Sequence, residues 1–439
     1  MTGRKPLSRP VAVPTGRLVR IAGLGGMSVG IAGNVAAQAL GQVRRGSRPD
    51  MRSLLMTPDN IRRVADQLAR MRGAALKVGQ LMSMDAGDVL PPELADIMAR
   101  LRDQAHFMPP KQLQQVLNRN WKPDWLQSFQ TFNVRPIAAA SIGQVHRATL
   151  KDGRDVAIKV QYPGIARSID SDVANVAALV RMSGLVPRNF DLNPYVEEAR
   201  SQLHEETDYE KEGAHLRQFT DLLDGADQFE IPSFYADWST PEILTMSFLE
   251  GLPIETLSDV PSDARNHVAQ ALIELTLKEV FEFGVTQSDP NFANYRYNPV
   301  TGKTILLDFG ATRTLDSSSI DGYRRLLRAG LKEDCEGLRD AAVQMKIIEG
   351  DSAFDTQILG MIRSVFGAIV SREEFNFADR SLAEQLHREG VALAEAGYVP
   401  PQIPMDILYL QRKFGGMFLL ATRLKAKLPL RSLLTQCAN

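Results

Sequence analysis

The stretch TQSDPNFANYRYNPVTGKTILLDFGATR, residues 286–313, decides the predicted fold of this 439-residue chain. Asp289 lies five residues before Asn294, and Asp308 begins a DFG triplet fourteen residues after Asn294. Phosphoryl transfer needs a carboxylate directed at the attacking hydroxyl or water and oxygen ligands for magnesium, and kinase-like proteins carry these groups in this order. Either motif alone occurs by chance, so the prediction depends on what precedes them.

A lysine-bearing strand precedes this stretch, as the kinase-like order requires. Residues 132–163 contain two β-type runs joined around Asp152-Gly153, a pattern that predicts a hairpin. In the second run, VAIKV, Lys159 alternates with three apolar residues and lies on the other face of the strand. An acid-rich helical stretch, residues 193–219, comes next, and short strands are predicted around Glu242 to Phe248.

The order of these motifs and elements along the chain predicts an α+β protein with a protein-kinase-like two-lobe fold. The length allows one large domain or two to three lobes. Four segments are expected: a basic, glycine-rich membrane-associated segment (1–55), a helical extension (56–128), a kinase-like N-lobe (129–250) and a mostly helical kinase-like C-lobe (251–439).

Composition excludes several classes of function. The formal net charge is −1, so no overall basic field exists to neutralise phosphates, and nucleic acid is not expected as a partner. Cys335 and Cys437 are the only cysteines, which excludes a disulfide framework and a cysteine zinc site. Residues 1–52, in contrast, carry nine basic residues and one acidic residue.

The basic end encloses 23 uncharged residues, IAGLGGMSVGIAGNVAAQALGQV, at positions 21–43. The length suffices to cross a bilayer, and the basic flanks would attract anionic headgroups. Gly26 and Gly30 form a GxxxG pair that allows two copies to pack as a homodimer. Three other interpretations stay open: a signal peptide, a dinucleotide-binding turn, and an ordinary helix packed on the protein itself.

The helical extension contains one strongly periodic segment, TPDNIRRVADQLARMRGAALKVGQLMSM, residues 57–84. Thr57 can cap this predicted helix, and Pro58 suits its first position. Lys77 and Gln80 point away from the apolar stripe and are free to reach a neighbour. The stripe itself repeats at spacings of three and four and comprises Ile61, Val64, Leu68, Met71, Ala75, Val78 and Met82.

Five short motifs together carry a family resemblance: KVGQ, AAASIGQVH in place of a glycine-rich loop, ETD, SDPNFAN and DFGATR. With these motifs the chain resembles the UbiB/ADCK (ABC-one, aarF-domain-containing) family of atypical kinases, and most closely its coenzyme Q subgroup. The similarity runs from the glycine-rich segment near residue 21 to the KLPLRSLL helix. It implies an ATP- and magnesium-dependent protein that supports ubiquinone biosynthesis at a membrane.

The resemblance also implies roles for individual residues. Lys159 matches the lysine that binds the ATP phosphates, and Glu212 matches its helical partner, although the residues alone leave Glu205, Glu206, Glu210 and Glu212 open. The other implied roles are as follows: Asp289 is the catalytic base, Asn294 and Asp308 are magnesium ligands, Glu206 and Asp208 form the E-x-D motif, and Lys77 and Gln80 belong to the KxGQ motif that lies across the nucleotide cleft.

The remaining expected ATP contacts come from the alanine-rich loop and from the connection between the lobes. Alanine methyl groups restrict φ and keep backbone amides further from phosphates than glycine would, which predicts modest phosphotransfer to proteins. Met246 occupies the gatekeeper position, and the backbone from Ser247 to Leu249 would meet adenine. The loop residues are Ala138, Ala139, Ala140, Ser141, Gly143 and Val145.

Basic residues that serve peptide phosphorylation are missing around Asp289. Gln287 and Ser288 precede it, Asn291 follows two residues later, and no APE sequence comes after DFGATR. We therefore expect Lys77 to supply the missing charge. Together with Glu206 and Asp208, it should adapt the site to a small or lipid-like quinone-precursor substrate, or to ATP hydrolysis itself.

These observations favour an atypical kinase-like phosphotransferase or ATPase of the UbiB type. The alternatives are a non-phosphorylating ATP-binding regulator or lipid-extraction scaffold for the ubiquinone biosynthesis enzymes, an authentic protein kinase, and a small-molecule phosphotransferase of the aminoglycoside kind. The first twenty residues leave little room for a transit peptide, so the expected location is the cytoplasmic face of a bacterial inner membrane, peripheral or anchored by one helix. The mitochondrial inner membrane is the alternative.

Overall fold

The computed structural model describes Leu68, Met71, residues 73–75, 77–79, 107–140, 142–183 and 192–398, Pro401 and residues 403–438. These residues form two compact units. Unit 1 contains the described residues up to Gly213 together with Phe234–Phe248, and unit 2 contains Ala214–Ser233 and the residues from Leu249 onward. The four-segment division stays a prediction. Residues 214–233, assigned by that prediction to the N-lobe, make their sheet contacts within unit 2.

The regular elements are numbered here along the chain. The helices are α1 Pro110–Asn120, α2 Ile165–Ser183, α3 Asn193–Glu206, α4 Tyr209–Leu222, α5 Ser262–Lys278, α6 Ser317–Leu331, α7 Cys335–Gln344, α8 Asp355–Val370, α9 Ser381–Glu395, α10 Met405–Leu424 and α11 Leu430–Ala438. The strands are β1 Phe129–Phe132, β2 Ala138–Ala139, β3 Gly143–Leu150, β4 Asp155–Gln161, β5 Phe229–Glu230, β6 Ile243–Ser247, β7 Leu252–Pro253, β8 Val285–Gln287, β9 Tyr295–Tyr297, β10 Thr304–Leu306, β11 Thr312–Thr314, β12 Phe375–Asn376 and β13 Lys427–Leu428.

Unit 1 is built on an antiparallel sheet in the order β1-β3-β4-β6, with β2 paired to β3. The predicted β3–β4 hairpin is confirmed, and its turn is closed by the Leu150 amide donating to the Arg154 carbonyl at 2.8 Å. Gly153 has a φ of +90°, which favours glycine at this position. The strand predicted near Glu242 to Phe248 is β6.

The core of unit 1 lies on one face of this sheet. Val156, Ile158 and Val160 are fully buried against α1 and its flanking aromatic residues, so the predicted apolar face of β4 is confirmed. α1 begins with a proline at its first position and buries residues 113, 116 and 117, which share one side of a helix. Three aromatic members of the core, Trp121, Trp125 and Phe129, have ring centroids 5.4–5.7 Å apart.

A histidine is buried inside unit 1 in its neutral form. His146 Nδ1 donates to the Asn133 carbonyl at 2.7 Å, and Nε2 accepts from Gln144 Nε2 at 2.8 Å. The Gln144 side-chain oxygen in turn accepts from the Met108 amide at 2.8 Å. Burial lowers the pKa of His146 to about 4, although the Asn133 carbonyl opposes this shift. The imidazole is therefore a structural link and carries no charge near neutral pH.

We expect the stability of the protein to fall as the pH is lowered from 6.5 to 4. In this window the unfolded histidine binds a proton that the folded His146 excludes, so the contribution is complete above pH 6.5 and is lost below it. The free energy of unfolding should decrease by about 3 kcal/mol across this pH range. Denaturant titration at each pH measures this decrease. His146→Gln should flatten this dependence, whereas the exposed His267→Gln should not. Equal pH slopes for wild type and His146→Gln would contradict the assignment.

The acid-rich stretch of residues 193–219 forms two helices where one was expected. α3 ends at Glu206, and α4 begins at Tyr209. The Asp208 carboxylate accepts from the amides of Glu210 and Lys211, each at 3.1 Å, and so caps α4. This side-chain cap competes with a continuous helix, which explains the break. The preceding helix α2 was not identified from the sequence.

The periodic segment around Lys77 is helical at Leu68, 73–75 and 77–79, whereas Met71 lies in a turn. Four residues of the predicted apolar stripe, Leu68, Met71, Ala75 and Val78, are buried, which confirms the stripe at these positions. Lys77 is buried as well, because its side chain reaches a neighbouring residue, Glu206, with which it forms an ion pair. The other stripe residues and Gln80 lie outside the described residues.

Unit 2 combines small sheets with helices α5 to α11, as predicted for the C-terminal half. Its largest sheet has the order β5-β10-β9-β7, in which β5 and β10 are parallel. β8 pairs antiparallel with β11 and β12 with β13. α5 passes into a π-helical turn, Glu279–Phe283, and Gly284 with a φ of +64° then directs the chain into β8. Such π turns are frequent beside functional sites.

No helix among the described residues is long and apolar enough to span a bilayer. The segment at 21–43, with Gly26 and Gly30, lies outside the described residues, as does the whole basic end. The expectations of a membrane-associated helix and of a homodimer through GxxxG therefore stay predictions.

Candidate active site

In unit 1, Lys159 and Glu212 form a buried ion pair. Lys159 Nζ lies 2.8 and 2.9 Å from the two carboxylate oxygens of Glu212. The residues are 8% and 4% exposed, so both charges have been removed from water and depend on each other. Lys159 comes from β4 and Glu212 from the first turn of α4. Of the four glutamates that the residues alone left open, the structure pairs this one with Lys159.

The face of the sheet that carries Lys159 also carries two of the other expected ATP contacts, Val145 and Met246. Val145 on β3 and Leu244 on β6 are the direct cross-strand partners of Lys159, and Met246 is the partner of Ala157 two residues earlier. Cross-strand partners share a face, so these side chains lie beside the lysine. Ser247 ends β6 in unit 1, whereas Leu249 belongs to unit 2.

Tyr209 supports the ion pair from the start of α4. Its ring is fully buried, and its centroid lies 5.2 Å from Lys159 Nζ, within the range of a cation–π contact. Gly143 on β3 allows this approach, because a Cβ there would lie 2.5 Å from the Val160 carbonyl oxygen and 2.9 Å from the Tyr209 hydroxyl. Glycine is therefore required at position 143 for close packing.

The alanine-rich segment is a short hairpin in which β2 pairs with β3. Ala138 and Ala139 lie opposite Val145 and Gln144, and the Ala140 amide donates to the Gly143 carbonyl at 2.8 Å. The expected open loop is thus partly a strand, and the Ala140 amide is already used in the turn. Ser141, an expected ATP contact, lies outside the described residues.

The two acids of the E-x-D motif have different partners. Glu206 forms an ion pair with Lys77, and both side chains are largely buried. Asp208 is exposed and caps α4, the helix that carries Glu212. The structure therefore joins Lys77 to one member of the motif, whereas the other member holds the start of the helix that supplies the partner of Lys159.

In unit 2, the DPNFAN segment forms a tight loop after β8. Asn294 Nδ2 donates to the Asp289 backbone carbonyl at 3.2 Å, which leaves the side-chain oxygen of Asn294 as the atom that can meet a metal ion. Asn291 caps the short helix Phe292–Asn294 by accepting from the Ala293 amide at 3.1 Å. Asp289 Oδ1 accepts from Arg412 Nη2 of α10 at 2.9 Å.

The DFG triplet follows β10 in the same unit. Asp308 Oδ1 accepts from the Gly310 amide at 3.0 Å. Phe309 is buried and packs on Phe219, with ring centroids 5.1 Å apart. The His215 ring Nδ1 lies 3.3 Å from the Phe309 carbonyl oxygen. These contacts hold the backbone on which Asp308 is mounted.

The residues present fit a magnesium ion that is held mainly by nucleotide phosphates. Asp308 supplies a carboxylate and Asn294 an amide oxygen, both of the hard oxygen type that magnesium prefers. Magnesium commonly takes one or two protein ligands together with substrate phosphates. No group of three or more His, Cys, Asp and Glu side chains that could hold a metal occurs in the described part of the chain.

Two basic residues of α10 lie beneath the Asp289 loop and were missed from the sequence. Arg412 contacts Asp289, and Lys413 is buried with Nζ 2.8 Å from the Gln287 carbonyl oxygen and 3.1 Å from Glu279 Oε2. Adjacent Arg and Lys inside the apolar stretch ILYLQRKFGGMFLL were the available signal. Burial raises the pKa of Glu279 despite the opposing charge of Lys413. The pKa of Lys413 is also raised, because Glu279 and Tyr295 outweigh the effect of burial.

Comparison with known proteins identifies the family to which the chain belongs. Residues 100–342 match the family model of the ABC1 atypical kinase-like domain. The chain is 35% identical to the mitochondrial atypical kinase COQ8 of Saccharomyces cerevisiae, over 96% of this chain and 85% of that protein. It is 33% identical to the mitochondrial atypical kinase COQ8B of Rattus norvegicus, over 97% of this chain and 81% of that protein.

A solved structure is similar in fold. The protein in the Rv3197–erythromycin complex from Mycobacterium tuberculosis aligns with a TM-score of 0.61 at 24% identity, over 83% of this chain and 92% of that chain. The predicted α+β, protein-kinase-like fold is confirmed.

The predicted location is wrong. A bacterial protein on the cytoplasmic face of the inner membrane was expected, but the yeast, zebrafish, nematode and rat relatives are all named as mitochondrial proteins. The expectation depended on the little room that the first twenty residues leave for a transit peptide, whereas their basic character had kept the mitochondrial alternative open. The predicted family, in contrast, is confirmed by identities above 30% across almost the whole chain and by the domain match. The chain belongs to the UbiB/ADCK family of ABC1 atypical kinases, in its coenzyme Q group.

Proposed function

We propose that the protein binds ATP and magnesium, transfers or hydrolyses the terminal phosphoryl group, and thereby supports ubiquinone biosynthesis at a membrane. The observation that carries this proposal is the buried Lys159–Glu212 pair, with Nζ–O distances of 2.8 and 2.9 Å. Kinase-like proteins need this pair to place the lysine on the nucleotide phosphates. A buried ion pair is weak evidence for stability, so its retention here is better explained by such a task.

Each predicted catalytic residue has a role in this proposal. Lys159 binds the α- and β-phosphates, Asn294 and Asp308 hold magnesium, and Asp289 accepts a proton. The nucleophile is a water molecule or a substrate hydroxyl. As its oxygen bonds to the terminal phosphorus, its O–H bond breaks and the proton passes to Asp289. The bond between that phosphorus and the bridging oxygen breaks at the same time and releases ADP. Magnesium, when bound, neutralises charge on the phosphates.

The acceptor is proposed to be water or a small, lipid-like quinone precursor. Lys77 and Glu206 pair in a largely buried position, so the lysine of the KxGQ motif is held within unit 1. Basic residues of the kind that serve peptide phosphorylation are absent on both sides of Asp289. The basic residues of positions 1–52 would draw the protein to anionic headgroups and bring such a lipid within reach.

ATP turnover by the purified protein tests this function. Phosphate release and transfer of labelled phosphate are measured with and without anionic phospholipid vesicles and a soluble quinone-precursor mimic. We expect turnover that rises with anionic vesicles and that requires magnesium. Lys77→Ala should lower both ATP affinity and turnover, whereas the exposed Lys111→Ala should change neither.

The possible outcomes separate the candidate functions. Phosphate release without a labelled product supports hydrolysis, and a labelled lipid supports phosphotransfer to a small acceptor. Strong labelling of added proteins would instead identify an authentic protein kinase. Tight ATP binding with no turnover under any condition would refute the enzyme proposal in favour of an ATP-binding regulator of biosynthetic enzymes. Unchanged affinity and turnover in Lys77→Ala would refute the role given to the KxGQ segment.

A further inference from the structure

The Asp289 carboxylate has a basic partner that comes from a distant part of the chain. Arg412 Nη2 donates to Asp289 Oδ1 at 2.9 Å, and 123 residues separate the two in sequence. The side chains are 17% and 24% exposed, so the contact is shielded from bulk solvent. Ion pairs in such surroundings are screened less than surface pairs and have a defined geometry.

α10 contacts the Asp289 loop at two further positions, both after Arg412 in sequence. At the next residue, Lys413 donates to the Gln287 carbonyl two residues before Asp289, and pairs with Glu279. One turn later, Gly416 lies so close to Pro290 that a Cβ at this position would overlap the proline ring. The backbone of Arg412 is therefore held against this loop, and its guanidinium is pre-positioned.

The same face of α10 also holds the strand that follows DFG. The Arg313 guanidinium lies over the Tyr409 ring, 4.3 Å from its centroid, and Arg313 belongs to β11, which pairs with β8. Tyr409, Arg412 and Gly416 follow one another at spacings of three and four and so share one side of the helix. One helix thus contacts both segments of unit 2 that carry the predicted chemistry.

We propose that Arg412 is a positioning residue for Asp289 and supplies the cation that the catalytic loop sequence lacks. This inference rests on the proposed ATP turnover. Arg412 engages Oδ1, which orients the carboxylate and leaves Oδ2 to accept the proton of the nucleophile. Because the cation is carried by a permanently docked helix, the loop is arranged without a phosphorylated activation segment. Arg412 acts through Asp289, not on the phosphates.

The test compares Arg412→Ala and Arg412→Lys with Arg423→Ala, an exposed arginine on the same helix. Arg412→Ala should lower kcat for ATP turnover about 100-fold, the cost of a slightly misplaced catalytic group, and leave KM for ATP unchanged. Arg412→Lys should retain part of the activity, and free guanidinium below denaturing concentrations should raise turnover of Arg412→Ala only. In an Asp289→Asn background, Arg412→Ala should cause no further loss, because the two residues act as one unit.

Several results would overturn the inference. Wild-type kcat in Arg412→Ala would do so while leaving the proposed ATP turnover intact. A loss of activity in Arg412→Ala that neither free guanidinium nor the Arg412→Lys substitution restores would also overturn it. A further loss of activity when Arg412→Ala is added to Asp289→Asn would do the same, because either result shows that Arg412 has a role apart from orienting Asp289. An inactive wild-type protein would refute the proposed function first and this inference with it.

Discussion

Replacing Asp289 with Asn is expected to lower the rate of ATP turnover by about 10²- to 10⁴-fold, the usual contribution of a general base. The amide has the shape of the carboxylate but cannot accept the proton of the attacking water or hydroxyl. Its oxygen can still accept from Arg412 Nη2, and Asn294 bonds the backbone carbonyl of residue 289, which the substitution does not alter. The loop should therefore keep its conformation.

Single-turnover phosphate release separates this chemical effect from nucleotide binding. ATP affinity of Asp289→Asn, measured by equilibrium titration, should stay close to that of the wild type. Asp321→Asn is the matched control, because Asp321 also pairs with an arginine, Arg324, but lies exposed on α6. Turnover of Asp289→Asn at the wild-type rate would exclude Asp289 as the base. The proton would then have to pass directly to the phosphate or to solvent.

The second large effect is expected from Lys413→Met, which should lower the free energy of unfolding by about 3–5 kcal/mol. Lys413 and Glu279 are each 1% exposed, and Glu279 also accepts from the Thr286 hydroxyl at 2.8 Å. Methionine fills the volume of the lysine stem but leaves the Glu279 charge buried without its cation. The Gln287 carbonyl also loses its donor, so turnover should fall as well.

Protonation of Glu279 provides a direct check of this mechanism. Burial already raises the pKa of Glu279 above its ordinary value of 4.5, and loss of Lys413 removes the charge that opposes this shift. A raised folded-state pKa stabilises the fold at low pH and loses this contribution as pH rises. The destabilisation by Lys413→Met should therefore shrink as the pH is lowered from 8 towards 4.5.

Double replacement distinguishes a lost charge pair from lost packing. Lys413→Met combined with Glu279→Gln removes both charges and should recover much of the stability, because paired removal of buried ions is far less costly than removal of one. Lys332→Met, at an exposed lysine that caps the end of α6, should have no measurable effect. Equal destabilisation in the single and double variants would show that packing, not charge, explains the loss.

Local sequence patterns predicted much of unit 1 and of the catalytic loop. The β3–β4 hairpin, the apolar face of β4 and the position of Lys159 follow from alternation and turn chemistry, which act over a few residues. The break between α3 and α4 was missed, because Asp208 caps a helix only if its side chain turns back on the amides of Glu210 and Lys211. An aspartate can lie inside a helix or cap the start of one, so the residue type at position 208 does not predict which of the two occurs.

The sequence by itself determined the family, the order of the motifs and the candidate residues, because motif spacing along a chain is preserved when the chain folds. The resemblance already implied Glu212 as the partner of Lys159, but only the tertiary structure decided the other two partners, Glu206 for Lys77 and Arg412 for Asp289. Each of these ion pairs joins residues at least 50 positions apart, and such pairs form only after helices and strands pack. A charged residue has no periodic signal that names its partner, so Arg412 was not recognised from the sequence as the cation beside Asp289.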